Sequence, residues 1–161
     1  MSEWCHMKGG RDKTMDSALV MANVIYEDIS ILNVSSWQHW IAVSEVDFCD
    51  GLIYINLDDK TFEMTKRYYA TGNFSKYIPF GAEKIGVDYV NENLKILAFR
   101  KDDNNILIII NDTDEKQDVL IEDITSGAKL VVTDPENDLA EKEITDRCIS
   151  ITAKSVNTII F

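Results

Sequence analysis

The residues best suited to chemistry fall in two short clusters. Glu3 is followed by Trp4, Cys5 and His6, and Trp37, Gln38, His39 and Trp40 form a second group about thirty residues on. A carboxylate serves as acid, base or nucleophile only where its surroundings tune it, and otherwise it is a solvated acid. The residues around Glu3 do not decide between these two readings. Trp37 and Trp40 are three apart, so an extended strand points them to opposite faces. At most one faces a ligand unless the strand bends, and the other is core packing. His6 and His39 lack a companion cluster of carboxylates, which argues against a metal centre. Gly9-Gly10 is too short for a phosphate loop and has no lysine-serine pattern after it. Ser2, His6 and Asp12 have no spacing that would fix a triad. No motif calls for a cofactor.

The charge balance narrows the partners. Lys and Arg number 16 against 28 Asp and Glu, a net charge of −12. Such a surface repels phosphates and anionic lipid, so neither nucleic acid nor a membrane is an expected partner, whereas a neutral ligand is indifferent to it. Asp47, Asp50, Asp58, Asp59, Asp102 and Asp103 read as turn formers before ligands. The three cysteines, Cys5, Cys49 and Cys148, are too few and too far apart for a disulfide framework and read as buried free thiols. The longest apolar run, Ile106 to Ile110, is strand-sized, and the first residues lack the charged-then-apolar order of a signal peptide.

The elements that must hold these residues change character along the chain. Apolar residues at three- and four-residue steps from Met15 to Ile29 predict an amphipathic helix over 13–32, with Thr14 as cap and Asp16 near its positive end. The run Val34 to Val43 reads as a buried strand, and Leu52 to Leu57 as another. A second helix is expected from Phe62 to Ile78, closed by Pro79 and Gly81, with Tyr68, Tyr69, Phe74 and Tyr77 in the core. Gly72 inside that helix requires its face to pack closely on something. From Glu83 the pattern becomes short apolar runs at 84–90, 94–100, 105–111, 117–124, 128–133, 147–152 and 156–161. Asp102 to Asn105 supplies a hairpin turn. Short strands at this spacing indicate a β-sandwich.

Three stretches resemble glycoside hydrolase family 30, and the closing run does so as well. Met1-Ser2-Glu3-Trp4 looks like the end of the seventh barrel strand, where that family places its nucleophile. Ser36-Trp37-Gln38-His39-Trp40 looks like the eighth strand. Lys66 to Gly86, KRYYATGNFSKYIPFGAEKIG, looks like the last barrel helix and its exit into the sandwich, and Ser155 to Phe161 like the last strand. The resemblance implies an α/β plus all-β chain, the last strands and helices of a (β/α)8 barrel over 1–82 followed by a β-sandwich over 83–161.

The resemblance also implies a role for each site residue. Glu3 would be the nucleophile of a retaining enzyme cleaving β-glycosidic bonds in a polysaccharide. Such enzymes need a second carboxyl group roughly 5–5.5 Å away as acid and base. The family carries it on the fourth barrel strand, to which no residue here corresponds, so the isolated chain is expected to be inactive. Trp40 would face the sugar, with Trp37 next in line and Gln38 or His39 bonding hydroxyls. The parent enzyme would be secreted. A non-catalytic sandwich with a structural or carbohydrate-binding role is the alternative. Open barrel edges would seek completion by self-association or by a separate first half.

Overall fold

The computed structural model describes residues 3–161. Met1 and Ser2, and with them the first half of the Met1-Ser2-Glu3-Trp4 motif, lie outside the described residues. The first helix, α1 (Met15–Ser30), is capped by Thr14, whose hydroxyl accepts from the Asp16 amide. It buries Met15, Ala18, Leu19, Ala22 and Ile25 of the periodic set, with Met21 in addition, while Tyr26 and Ile29 are half-buried. The segment before it and the segment after it run parallel: Trp4 and His39 form a parallel bridge. Parallel pairing through a helical crossover is the βαβ unit from which barrels are built.

Val34 to Val43 is not the continuous buried strand its sequence suggests. Beyond the bridge at His39 only β1 (Val43–Ser44) pairs, in parallel with β2 (Ile53–Asn56), and much of the run is exposed. A strand needs neighbours over its length, and here a single bridge holds the segment to Trp4. The start of the expected second helix differs as well. Thr61–Met64 is a strand, β3, folded back on β2 as a hairpin, and the helix α2 spans Lys66–Ser75 with Thr65 as its cap. Of the four aromatics expected in the core from this helix, only Phe74 is buried; Tyr68 is exposed, and Tyr69 and Tyr77 are half-buried.

The back half supplies β4 (Glu83–Ile85), β5 (Leu94–Lys101), β6 (Asn104–Asn111), β7 (Gln117–Leu120), β8 (Lys129–Thr133), β9 (Ala140–Glu143), β10 (Cys148–Ile151) and β11 (Ser155–Ile160). Six of these form one antiparallel sheet in the order β4-β5-β6-β11-β8-β9. Asp102, in the left-handed region, turns β5 into β6. One face of the sheet (Leu97, Phe99, Ile106, Ile108, Ile110 and Val156) packs on α1 and α2. The other (Ile96, Ala98, Leu107, Ile109, Val132 and Ile159) packs on Ile121, Ile149 and Ile151, beside the two-stranded sheet of β7 and β10. Burial on both faces is why β6 reads as an unbroken apolar run rather than an alternation. β9, absent from the expected strands, is a charged edge strand that pairs only with β8. Cys148 lies on the solvent side of β10 and is exposed, Cys49 is buried and Cys5 half-buried; all three thiols are free.

The helix layer is fixed to the sheet by a polar lock. The side-chain amide of Asn73 donates to the Val131 carbonyl at 3.2 Å and to the Thr158 hydroxyl at 3.0 Å, and that hydroxyl donates to the Asn73 carbonyl at 2.8 Å. Gly72 lies next to it, and a Cβ there would meet Leu139 Cδ1 at 2.6 Å. This is the close packing that a glycine inside a helix requires. Alanine would gain about 1 kcal/mol in helix propensity, against about 1–3 kcal/mol for overpacking. Gly72→Ala is expected to gain stability in a Leu139→Ala background and not in the native one. Urea denaturation of the four variants should give a coupling above about 0.5 kcal/mol, and strictly additive effects would contradict this packing.

Candidate functional site

The site is built where the Trp4 and His39 segments meet. Trp4 donates its amide to the Gln38 carbonyl at 3.0 Å, and the Trp40 amide donates to the Trp4 carbonyl at 2.8 Å. The Trp4 ring lies 5.8 Å from Trp37, 5.8 Å from His39 and 6.0 Å from His6. Trp4 and Trp37 also pack on the core beneath α1 and α2. These four rings therefore share the helix side of the strand pair. Alternation along extended chain sends Glu3, Cys5, Gln38 and Trp40 to the other side. Glu3 and Gln38 are exposed, and Trp40 is 51% exposed.

The five residues singled out from sequence are thus divided. Glu3, Gln38 and Trp40 stand on the open face, and Trp37 and His39 on the helix face. Each of the latter two is anchored. Trp37 Nε1 donates to Oδ2 of Asp28 at 2.9 Å, with Asp28 buried on α1. His39 Nε2 donates to the Asp50 carbonyl at 2.8 Å, which fixes the ring's tautomer, since a carbonyl only accepts. His39 Nδ1 and Asp50 Oδ1 are buried acceptors without a hydrogen-bond partner. Burial lowers the pKa of His39; the Asp50 carbonyl opposes this, and the Arg67 guanidinium adds to it.

The loops leaving the two strands are joined to each other. Gly9 and Phe48 form an antiparallel bridge, the Cys49 amide donates to the Lys8 carbonyl at 2.8 Å, and the Gly10 amide donates to the Asp47 carbonyl at 3.2 Å. Arg11 donates through Nε to the Val46 carbonyl at 3.0 Å and through its terminal nitrogen to the Glu45 carbonyl. Its guanidinium also covers the Tyr54 ring at 4.7 Å. Beneath them Arg67 is fully buried among the same segments. The Trp40–Ile41 peptide, where the second loop begins, is cis.

Sequence reasoning gives Asp50 only as a turn former and passes over Asp28, Arg11 and Arg67. Arg67 carried a usable signal, because it shares the helical register of Ala70 and Phe74, the buried face of α2. Among the described residues no group of three or more His, Cys, Asp and Glu could hold a metal ion, and no helix is long and apolar enough to cross a membrane.

Comparison with known proteins adds a family match over one third of the chain and a fold over nearly all of it. Residues 3–54 match the profile described as O-Glycosyl hydrolase family 30. The chain superposes on the family 30 subfamily 8 xylanase of Clostridium acetobutylicum with TM-score 0.78 and 19% identity, over 99% of this chain and 41% of that one. The catalytic domain of the family 30 xylanase C of Talaromyces cellulolyticus gives 0.86 and 18%, over 99% and 39%. A conserved exported protein of Bacteroides fragilis gives 0.84 and 21%, over 99% and 38%. The chain thus spans about two fifths of the length of these structures, and at such identities the likeness is one of fold. The β-sheets match the carboxy-terminal β-domain of the family 30 enzymes among them, and a closed barrel is not among the described residues.

Removing the carboxylate in Asp28→Ala leaves the Trp37 indole N–H unpaired where it is largely buried, at a cost of about 1–3 kcal/mol. Urea denaturation should show a lower midpoint with an unchanged slope, and an unchanged midpoint would remove Asp28 from this role. His39 has a folded-state pKa below its ordinary value, so the folded state binds fewer protons than the unfolded one. Its contribution to stability is present above about pH 6.5 and is lost as the pH falls towards the folded value. His6 is shifted in the same direction, chiefly by burial. Replacing both histidines by glutamine should flatten the fall in stability just below that pH, and an unaltered slope would speak against buried neutral imidazoles.

Proposed function

We propose that this chain, which corresponds to the carboxy-terminal part of a family 30 glycoside hydrolase, supplies the nucleophile side of a retaining glycosidase acting on a β-linked polysaccharide. The observation that carries this reading is the parallel bridge between Trp4 and His39, beside which Glu3, Gln38 and Trp40 are exposed and fall on one side by alternation. In this reading the Glu3 carboxylate attacks the anomeric carbon and forms a glycosyl ester, which water later cleaves. Trp40 offers apolar surface to the C–H face of a sugar ring, and Gln38 bonds a hydroxyl. Trp37 and His39 set the strand from behind.

The acid/base carboxyl comes from barrel strands outside this chain, and the barrel part ends near residue 82. The sandwich from residue 83 has no tryptophan, and one of its faces carries α1 and α2. Both facts favour a supporting role for it over a separate sugar-binding one. Two of the matched structures are xylanases, so xylan is the first substrate to test, and the exported relative fits secretion of the parent enzyme. Open strand edges at the bridge are met by further barrel strands, from the same protein or from a separate chain.

The purified chain is expected not to hydrolyse aryl β-xylosides or xylan, since one carboxyl group cannot supply both roles. Turnover by the chain would refute this division of labour. In the enzyme with its complete barrel, a 2-fluoro-xyloside inactivator should esterify Glu3, as peptide mass spectrometry would show. Labelling of another carboxylate would overturn the assignment.

A further inference from the structure

Arg67 is the most unusual buried group in the chain. It lies near the start of α2, is 0% exposed, and is held by neutral acceptors. One terminal nitrogen shares its two N–H groups among the Asp12 carbonyl at 2.6 Å, the Ser17 hydroxyl at 2.6 Å and the Cys49 sulfur at 3.2 Å. The other donates to the Gly51 carbonyl at 2.6 Å and the Tyr54 hydroxyl at 3.0 Å. The Tyr54 hydroxyl in turn donates to the Phe48 carbonyl at 2.6 Å.

Burying a guanidinium is costly, and an apolar side chain would pack α2 with less penalty. Helix packing alone therefore does not account for this residue. Its contacts do. Asp12 and Ser17 belong to the segment that follows Glu3 and Trp4, and Cys49, Gly51 and Tyr54 to the segment that follows Trp40. The fork is planar and rigid, so each arm fixes a direction as well as a distance. Arg67 thus reads the offset between the two loops behind the open face, and Tyr54 extends that reading to Phe48.

We propose that Arg67 is the positioning residue that locks these two loops into one body and so sets the spacing of the strand ends that carry Glu3 and Trp40. The importance of that spacing for catalysis rests on the glycosidase reading above; the locking itself does not. A lysine at this position has one point charge and cannot hold both arms.

The test is amide hydrogen exchange on the chain itself, comparing the native protein with Arg67→Lys and Arg67→Ala. Both variants should speed exchange at Gly10, Arg11, Ile41, Cys49 and Leu52 by tenfold or more and leave the central amides of β5, β6 and β11 protected. Methylguanidinium should restore protection of the loops in Arg67→Ala, and methylammonium should not. Equal acceleration throughout the chain, no acceleration in either variant, or loss of fold in Arg67→Lys would each overturn the proposal. Should Arg67→Ala alone fail to fold, Arg67→Lys gives the same decision by the same amides. Loosened loops together with labelling away from Glu3 would leave Arg67 in place and remove the glycosidase reading. Labelling at Glu3 with unchanged loops would do the reverse.

Discussion

A β-sheet with apolar side chains on both faces needs two coverings, and everything in this chain is arranged around that requirement. The central strands β6 and β11 expose almost nothing: Ile108 and Ile109 are both at 0%, as are Val156 and Ile159. One covering is small, the ribbon of β7 and β10. The other is the helix pair. Because α1 and α2 must lie flat on the sheet to exclude water from Phe99, Ile108 and Ile110, their outer sides are fixed too. The Trp4 and Trp37 segments rest against that helix layer. The orientation of the open face with Glu3 and Trp40 is thus set from below, by burial that is indifferent to any ligand.

Burial alone fixes proximity more firmly than direction. Apolar contacts allow α2 to slide or rotate by small amounts, whereas hydrogen bonds between buried groups allow few alternatives. Three such devices sit at the junctions between layers. Asn73 and Thr158 join α2 to the sheet. Asp28 ties α1 to the Trp37 segment. Arg67 ties α2 to the loops above. Each lies where one element must be registered against the next, which gives the layers one relative arrangement instead of a family of them.

The degree to which this was legible from sequence follows the same division. The strands β5, β6 and β8 are plain because burial on both faces writes itself as apolar runs, whereas β11, SVNTII, is buried with polar residues at half its positions. α1 was plain because a helix resting on a sheet needs one apolar stripe and a capping residue, and Thr14 to Ile29 has both. β9, with sequence AEKE, gave no such signal, since an edge strand with solvent on its sides can be charged. Val34 to Val43 misled in the opposite sense: aromatic and β-branched residues were present without the neighbours that make a strand. The expected helix takes in Phe62 to Met64, three of the four residues of β3, although Thr65, followed by the α2 sequence, is a cap. Pairing with β2 outweighed local preference there.

At the site, residue types foretold less than the backbone did. Spacing alone already sets Trp37 and Trp40 on opposite faces of an extended chain, but it does not say which face packs on the helices and which is open. Asp28 and Asp50 could not be recognised as anchors, and Arg67 only by its place in the helical register, since acids and arginines are ordinarily solvated and a one-dimensional reading has no measure of depth. Their partners are also distant along the chain: Arg67 reaches Asp12 on one side and Gly51 on the other. A charge in the apolar register of a helix is the one trace such a residue leaves in sequence. That trace identifies a buried guanidinium before it identifies a function. The function follows only when its acceptors prove to lie on two separate segments, the loop and helix start after Trp4 and the loop and strand start after Trp40.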